Sequence, residues 1–273
     1  MIISRRQCLS GSAALIASPA LAQFRMMRPL GAAAGYQSTL VNGYTPQYPT
    51  WQGLMWSADM GSTWNRNMNY CWQATTQRSR FELHNTPYDR AQDDDTFKRR
   101  AELHANKNPV PNNTSLWGAF SFIDQPWSDP VGMSKTTGGS LVQMHGPDGG
   151  SPPFAFRRWG TGHFVVTTVG DLDPNNHKRY DAPLAFNKMH DLVYRCVISP
   201  NAGQLDVWLD GQQIVSLKNQ SIGFSSSGCY ICMGPYFASG VTCPVVVEYG
   251  NWARPGTASL SSRISHPPAW PTN

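Results

Sequence analysis

The chain has 273 residues, 40% of them hydrophobic, and a formal net charge of +5, which sets the scale at one large or two small domains. Its 22 Lys and Arg nearly balance 17 Asp and Glu and form no basic stripe, so no nucleic-acid partner is expected. Ten Trp and eleven Phe beside 24 Gly and 21 Pro describe a packed, turn-rich chain rather than a low-complexity one.

The first 22 residues read as an export signal. The Arg5–Arg6 pair, a short apolar stretch to Ala17 and the small-x-small site Ala20-Leu21-Ala22 give the layout of a twin-arginine type signal. Cys8 departs from the pattern, which usually carries a bulky apolar residue there. Cleavage after Ala22 and a periplasmic or extracellular location are expected. The apolar stretch is too short to anchor in a bilayer, and no later segment offers about 20 uncharged apolar residues, so no membrane partner is expected. Losing Arg5 and Arg6 lowers the net charge by two. The mildly basic remainder suits an anionic partner.

Residues 23–50, rich in Gly, Ala and Pro, read as a linker or an arm laid over the domain. From Trp51 to the C-terminus short strands and turns dominate. "YCWQAT" and "RFELHN" are strand-like, and "TPYDRAQDDD" is a solvated loop. "SLWGAFSFI" (115–123) alternates and is aromatic; "HFVVTTVGD" is β-branched. "DLVYRCVIS", "QLDVWL" and "QQIVSL" predict a three-strand meander, its last two strands joined by the hairpin turn Asp210-Gly211. "PVVVEYGNWA" predicts a late central strand, and no periodic apolar stripe predicts a helix. Many short strands with regular turns at this length predict one all-β domain: a two-sheet, concanavalin-like jelly roll whose concave face forms a substrate groove.

Cysteine use is odd. Once Cys8 leaves with the signal, Cys71, Cys196, Cys229, Cys232 and Cys243 remain, so one or two disulfides are open and at least one residue lies outside them. Cys229-x-x-Cys232 lacks a second donor pair at fixed spacing, so no metal site is expected.

Three stretches carry chemistry. In Arg100-Ala101-Glu102-Leu103, strand alternation puts Arg100 and Glu102 on one face, where the carboxylate can hold the guanidinium. In "LVQMHGPDGGSPPFAF" (141–156), Gln143 and His145 share a face, Leu141 can join them, and the Gly/Pro loop forms a rim. In Tyr230-Ile231-Cys232-Met233-Gly234-Pro235-Tyr236 the two tyrosines are six apart and share a face if the strand is regular. Arg80-Phe81-Glu82-Leu83 repeats the first pattern, so an Arg-x-Glu pair alone specifies little.

Taken in order, Arg-small-Glu-Leu, Gln-x-His and Tyr-x-x-x-Gly-x-Tyr resemble the motif set of the jelly-roll polysaccharide lyases: alginate lyases, glucuronan lyases and the heparin lyase I group. "GQLDVWLDGQQIV" is similar to the hairpin of the heparin-lyase-like branch. The resemblance spans roughly residues 65–250. Cys232 stands where the family carries a Lys, and Pro235 where an apolar β-former is common. The resemblance implies β-elimination beside a uronic acid in an anionic polysaccharide. Arg100 and Gln143 would hold the uronate carboxylate, Tyr230 the sugar, His145 would be the base and Tyr236 the acid. No cofactor is implied, a structural calcium is left open, and a monomer is expected. Two other classes compete: a carbohydrate-binding jelly roll without chemistry, and a glycoside hydrolase. The latter needs two carboxylates facing across the cleft, and no Glu-x-Asp-x-x-Glu pattern occurs.

Overall fold

The structure is a computed structural model. It describes residues 72–83, 99–105, 108–125, 138–146, 151–159, 161–225, 228–237 and 245–272, with the short pieces 37–38, 50–51, 54–55 and 57–59. All lie in the compact unit Ala32–Asn273. The expected signal and most of the expected arm lie outside the described residues. So do the loop read from "TPYDRAQDDD" and residues 147–150 of the expected rim.

The strands are β1 (Gln37–Ser38), β2 (Thr50–Trp51), β3 (Leu54–Met55), β4 (Ser57–Asp59), β5 (Trp72–Ala74), β6 (Arg78–Leu83), β7 (Arg99–Arg100), β8 (Glu102–His104) and β9 (Ser115–Asp124). They continue with β10 (Gly138–His145), β11 (Phe154–Trp159), β12 (His163–Gly170), β13 (Asp173–Pro183), β14 (His190–Val197), β15 (Ser199–Leu209), β16 (Gln212–Ile222), β17 (Tyr230–Phe237) and β18 (Val245–Gly256). One large sheet has the order β1-β5-β6-β18-β9-β14-β15-β16; a second runs β13-β12-β11-β10-β17-β8-β4, with β7 also paired to β17, and β2 and β3 pair with each other as a separate two-stranded sheet. The pairings are antiparallel. This is the expected β-sandwich jelly roll.

Local sequence explains much of it. The meander β14-β15-β16 closes on Asp210 and Gly211, both at positive φ (50° and 82°), as a tight primed hairpin turn requires. β18 lies between β6 and β9, the central place its run of β-branched residues demands. Two elements differ from the sequence reading. β13 is polar and half exposed; it is an edge strand, so apolar patterning could not mark it. A short helix α1, Ser261–Ser265, forms near the C-terminus without any buried residue, too brief to show a periodic stripe. Among the described residues no helix is long and apolar enough to cross a membrane.

The inner faces of both sheets make one core that includes Phe81, Phe120, Phe122 and Tyr249 from the first sheet and Met144, Phe156, Phe164 and Met233 from the second. A buried ion pair also links the sheets. Arg158 on β11 donates from Nε and Nη2 to the Asp124 carboxylate at 2.5 and 3.0 Å, and both side chains are fully buried. Its remaining donors reach the carbonyls of Gly162, Leu184 and Ala185. The Tyr249 hydroxyl, from β18, crosses the core to donate to the Leu141 carbonyl at 2.7 Å.

Cys196, Cys229 and Cys232 are buried and joined by no disulfide to one another. Burial pushes the Cys196 thiol up to about 12 and the Cys229 thiol to about 11, which makes these two core groups inert. Cys71 and Cys243 lie outside the described residues.

Candidate active site

β10 and β17 are neighbours, and β8 and β7 flank β17. Ile231, Met233, Met144 and Leu103 face the core, so alternation sends Tyr230, Cys232, Gln143, His145, Glu102 and His104 to the outer face of the second sheet. Register then sets the rows: His145 opposite Tyr230, Gln143 opposite Cys232, and Cys232 opposite His104.

The register shifts between Ser140 and Val142. There Gly234 and Pro235 on β17 stand opposite the single residue Leu141, as in a β-bulge. Beyond the shift Ser140 pairs with Tyr236, and Tyr236 pairs with Arg100. The bulge corrects one expectation: Leu141 does not join Gln143 and His145 but is fully buried in the core with Val142. Gly234 permits the distortion. Its φ is +125°, and a Cβ there would lie 2.1 Å from the Ala101 carbonyl oxygen, a backbone atom that cannot step aside. Gly234→Ala is expected to destabilise the fold by at least roughly 1–3 kcal/mol from the backbone conformation alone, read as a lowered melting temperature; an unchanged melt would contradict the bulge geometry.

Glu102 is the centre of the site and fully buried. Gln143 Nε2 donates to its Oε1 at 3.0 Å, and Arg100 Nε lies 3.3 Å from its Oε2. His104 Nε2 lies 3.4 Å from the same Oε2. Ser140 Oγ in turn donates to Gln143 Oε1 at 3.1 Å. A carboxylate only accepts, so this chain fixes which end of the Gln143 amide is which. One Gln143 N–H is committed to Glu102, leaving the second for a ligand.

Tyr236 lies under the Arg100 guanidinium, whose Cζ is 4.4 Å from the ring centroid. Arg157, on β11 opposite Ser140, joins this group. Burial pushes its pKa down, while the nearby Tyr236 and Glu102 hold it up. A guanidinium stays charged through such a shift. Two arginines therefore face one carboxylate, and the site carries a net positive charge when its histidines are neutral.

At the other end His145 Nδ1 lies 2.6 Å from the Gly146 carbonyl. A carbonyl can only accept, so Nδ1 carries a proton, and in the neutral ring the lone pair is then on Nε2. The His145 ring stacks on Tyr230 at 5.4 Å, and Tyr230 lies 5.9 Å from the His104 ring. Contacts thus run from Tyr236 through Arg100, Glu102, His104 and Tyr230 to His145. All five residues singled out from the sequence stand on neighbouring strands of one sheet. Tyr236 and His145 enter at opposite ends of the set, since Ser140, the β10 partner of Tyr236, lies five residues from His145 along that strand.

Sequence reasoning missed His104 and Arg157. Glu102-x-His104 has the same two-residue spacing as Gln143-x-His145, which was a usable signal. Arg157-Arg158 was another: adjacent strand residues face opposite ways, so one of the two arginines had to turn inward. The repeat Arg80-x-Glu82 forms its own ion pair at 2.5 Å on β6, in the other sheet and away from these residues.

The sandwich is similar in fold to two solved polysaccharide lyases. A glucuronan lyase from the fungus Trichoderma reesei superposes with a TM-score of 0.51 at 14% identity, covering 82% of this chain and 95% of the lyase. A family 7 alginate lyase in complex with substrate superposes with a TM-score of 0.50 at 10% identity, covering 75% of this chain and 94% of the other. No family model and no curated protein sequence matches the chain.

Proposed function

We propose that this chain is a polysaccharide lyase that cleaves a uronic-acid-containing polymer by β-elimination. One observation carries the reading: Tyr236 lies under the Arg100 guanidinium, in the cross-strand row that also carries Arg157, on the outer face of a lyase-like sandwich and beside an amide with a donor to spare. In the reaction a base removes the C5 proton, the electron pair forms the C4–C5 double bond, the C4–O4 bond breaks, and an acid protonates O4. The C5–H bond is α to a carboxylate, so negative charge grows on that carboxylate as the proton leaves. Arg100, Arg157 and the second Gln143 N–H supply positive charge and a donor where it grows. His145 Nε2 is the base, and the Tyr236 hydroxyl is the acid. Tyr230 offers an aromatic face to the sugar. Export through the N-terminal signal would bring the enzyme to such polymers outside the cytoplasm.

The test is a panel of uronic-acid polymers, including glucuronan, alginate and a sulfated glycan, followed by near-ultraviolet absorbance. A lyase makes an unsaturated uronate that absorbs. Reducing ends without absorbance would indicate a hydrolase, and affinity without either would indicate a binding module; each outcome would end the lyase reading. On a polymer that is turned over, His145→Ala is expected to lower kcat by about 10²-fold or more, with KM little changed. A mild effect would assign both proton transfers to Tyr236.

A further inference from the structure

Cys232, His104 and Glu102 bring a thiol, an imidazole and a carboxylate together, their ligand atoms all within 4.8 Å of one another. Backbone register makes this cluster. Cys232 is the cross-strand partner of His104, and Glu102 precedes His104 by two residues on the same face. Glu102 and Cys232 are fully buried, and the His104 side chain is 12% exposed. Cys232 lies outside the hydrophobic core cluster that holds Cys229.

The separation of His104 from Glu102 suits a shared metal better than a hydrogen bond. The 3.4 Å between His104 Nε2 and Glu102 Oε2 is long for a hydrogen bond. It is close to the edge of roughly 3.3 Å that separates two ligands bound tetrahedrally at zinc–nitrogen and zinc–oxygen distances. Gln143 Nε2 holds the other carboxylate oxygen, the kind of outer hydrogen bond that orients a metal-binding carboxylate. Thiolate, imidazole and carboxylate together favour Zn²⁺ over Ca²⁺ or Mg²⁺.

We propose that Glu102, His104 and Cys232 form a Zn²⁺-binding site with three protein ligands and an open fourth position. On binding, the Cys232 thiol gives its proton to solvent and its sulfur lone pair to the ion. Arg100 yields the shared Glu102 oxygen while keeping its place over the Tyr236 ring. The ion's two positive charges cancel Glu102 and the new thiolate, so Arg100 and Arg157 keep the surrounding face positive. The site stands whether or not the chain is a lyase, because it is read without turnover.

The experiment titrates the reduced, chelator-stripped full chain with Co²⁺, a spectroscopic stand-in for Zn²⁺. A single equivalent is expected to bind with a thiolate-to-cobalt charge-transfer band that Zn²⁺ then displaces. Cys232→Ser should remove the band and weaken Co²⁺ binding at least about 100-fold, beyond the 10–100-fold loss typical of an outer-shell partner. His104→Ala should keep the band but weaken binding about 10-fold or more, and Cys229→Ser should change neither. No band in the wild type, or a band that survives Cys232→Ser, overturns the proposal. If Cys232→Ser fails to fold by circular dichroism, wild-type Co²⁺ affinity in His104→Ala overturns it instead.

Discussion

Tyr236→Phe is expected to lower turnover of the uronic-acid polymer by about 10²–10⁴-fold while leaving polymer affinity nearly unchanged. The substitution removes one hydroxyl and keeps the ring. The Arg100 guanidinium, 4.4 Å over that ring, keeps its stacking partner, and the Tyr236↔Arg100 and Tyr236↔Ser140 pairings use only backbone. What disappears is the proton donor that the departing O4 requires. A kcat loss with an unchanged KM is the signature of an interaction made only in the transition state. Full-rate turnover by Tyr236→Phe would end the assignment of the acid. A parallel loss of affinity would mean that the hydroxyl holds ground-state substrate instead.

The second large effect concerns stability. Arg158→Met is expected to destabilise the sandwich by about 3–5 kcal/mol, because it strands the fully buried Asp124 carboxylate without its bidentate partner. Against a usual total of about 5–15 kcal/mol, that is a large fraction. At roughly 2–4 °C per kcal/mol for a chain of this size, the melting temperature should fall by at least about 6 °C. Adding Asp124→Leu should recover part of the loss, since no buried charge is then left alone. Recovery should be incomplete because the carbonyls of Gly162, Leu184 and Ala185 still lack the donors that Arg158 gave them. Thermal melts of the two variants decide it. A single variant that melts with the wild type would show that the pair contributes little.

Much of the fold was legible because its signals are local. The Asp210-Gly211 turn, the β-branched run of β18 and the alternation of β9 each state their structure in a few residues. The polar edge strand β13 was not legible, since an edge half exposed to water needs no apolar alternation. The site divides the same way. Spacing by two placed Glu102 with Arg100 and Gln143 with His145. What it could not show was the partner across the sheet. Cys232 was weighed against Cys229, its neighbour in sequence, whereas register sets it beside His104. The Arg157-Arg158 doublet hid its meaning for a similar reason, because the acid that claims Arg158 lies on another sheet. Leu141 was misplaced because alternation fails at a bulge, and only the glycine at 234 hinted at one.

The Tyr249 hydroxyl bonded to Leu141 ties the irregular segment that aims Tyr236 to a strand of the opposite layer. The outer face of the second sheet is thus gripped from beneath by a residue that no ligand on that face can touch. Transplanting the face to another sandwich by copying β7, β8, β10 and β17 would leave this anchor behind. A working graft would have to bring β18 with it, or supply another buried donor at the same depth. In this molecule the heritable unit of the site is a cross-section through both layers rather than a patch on one.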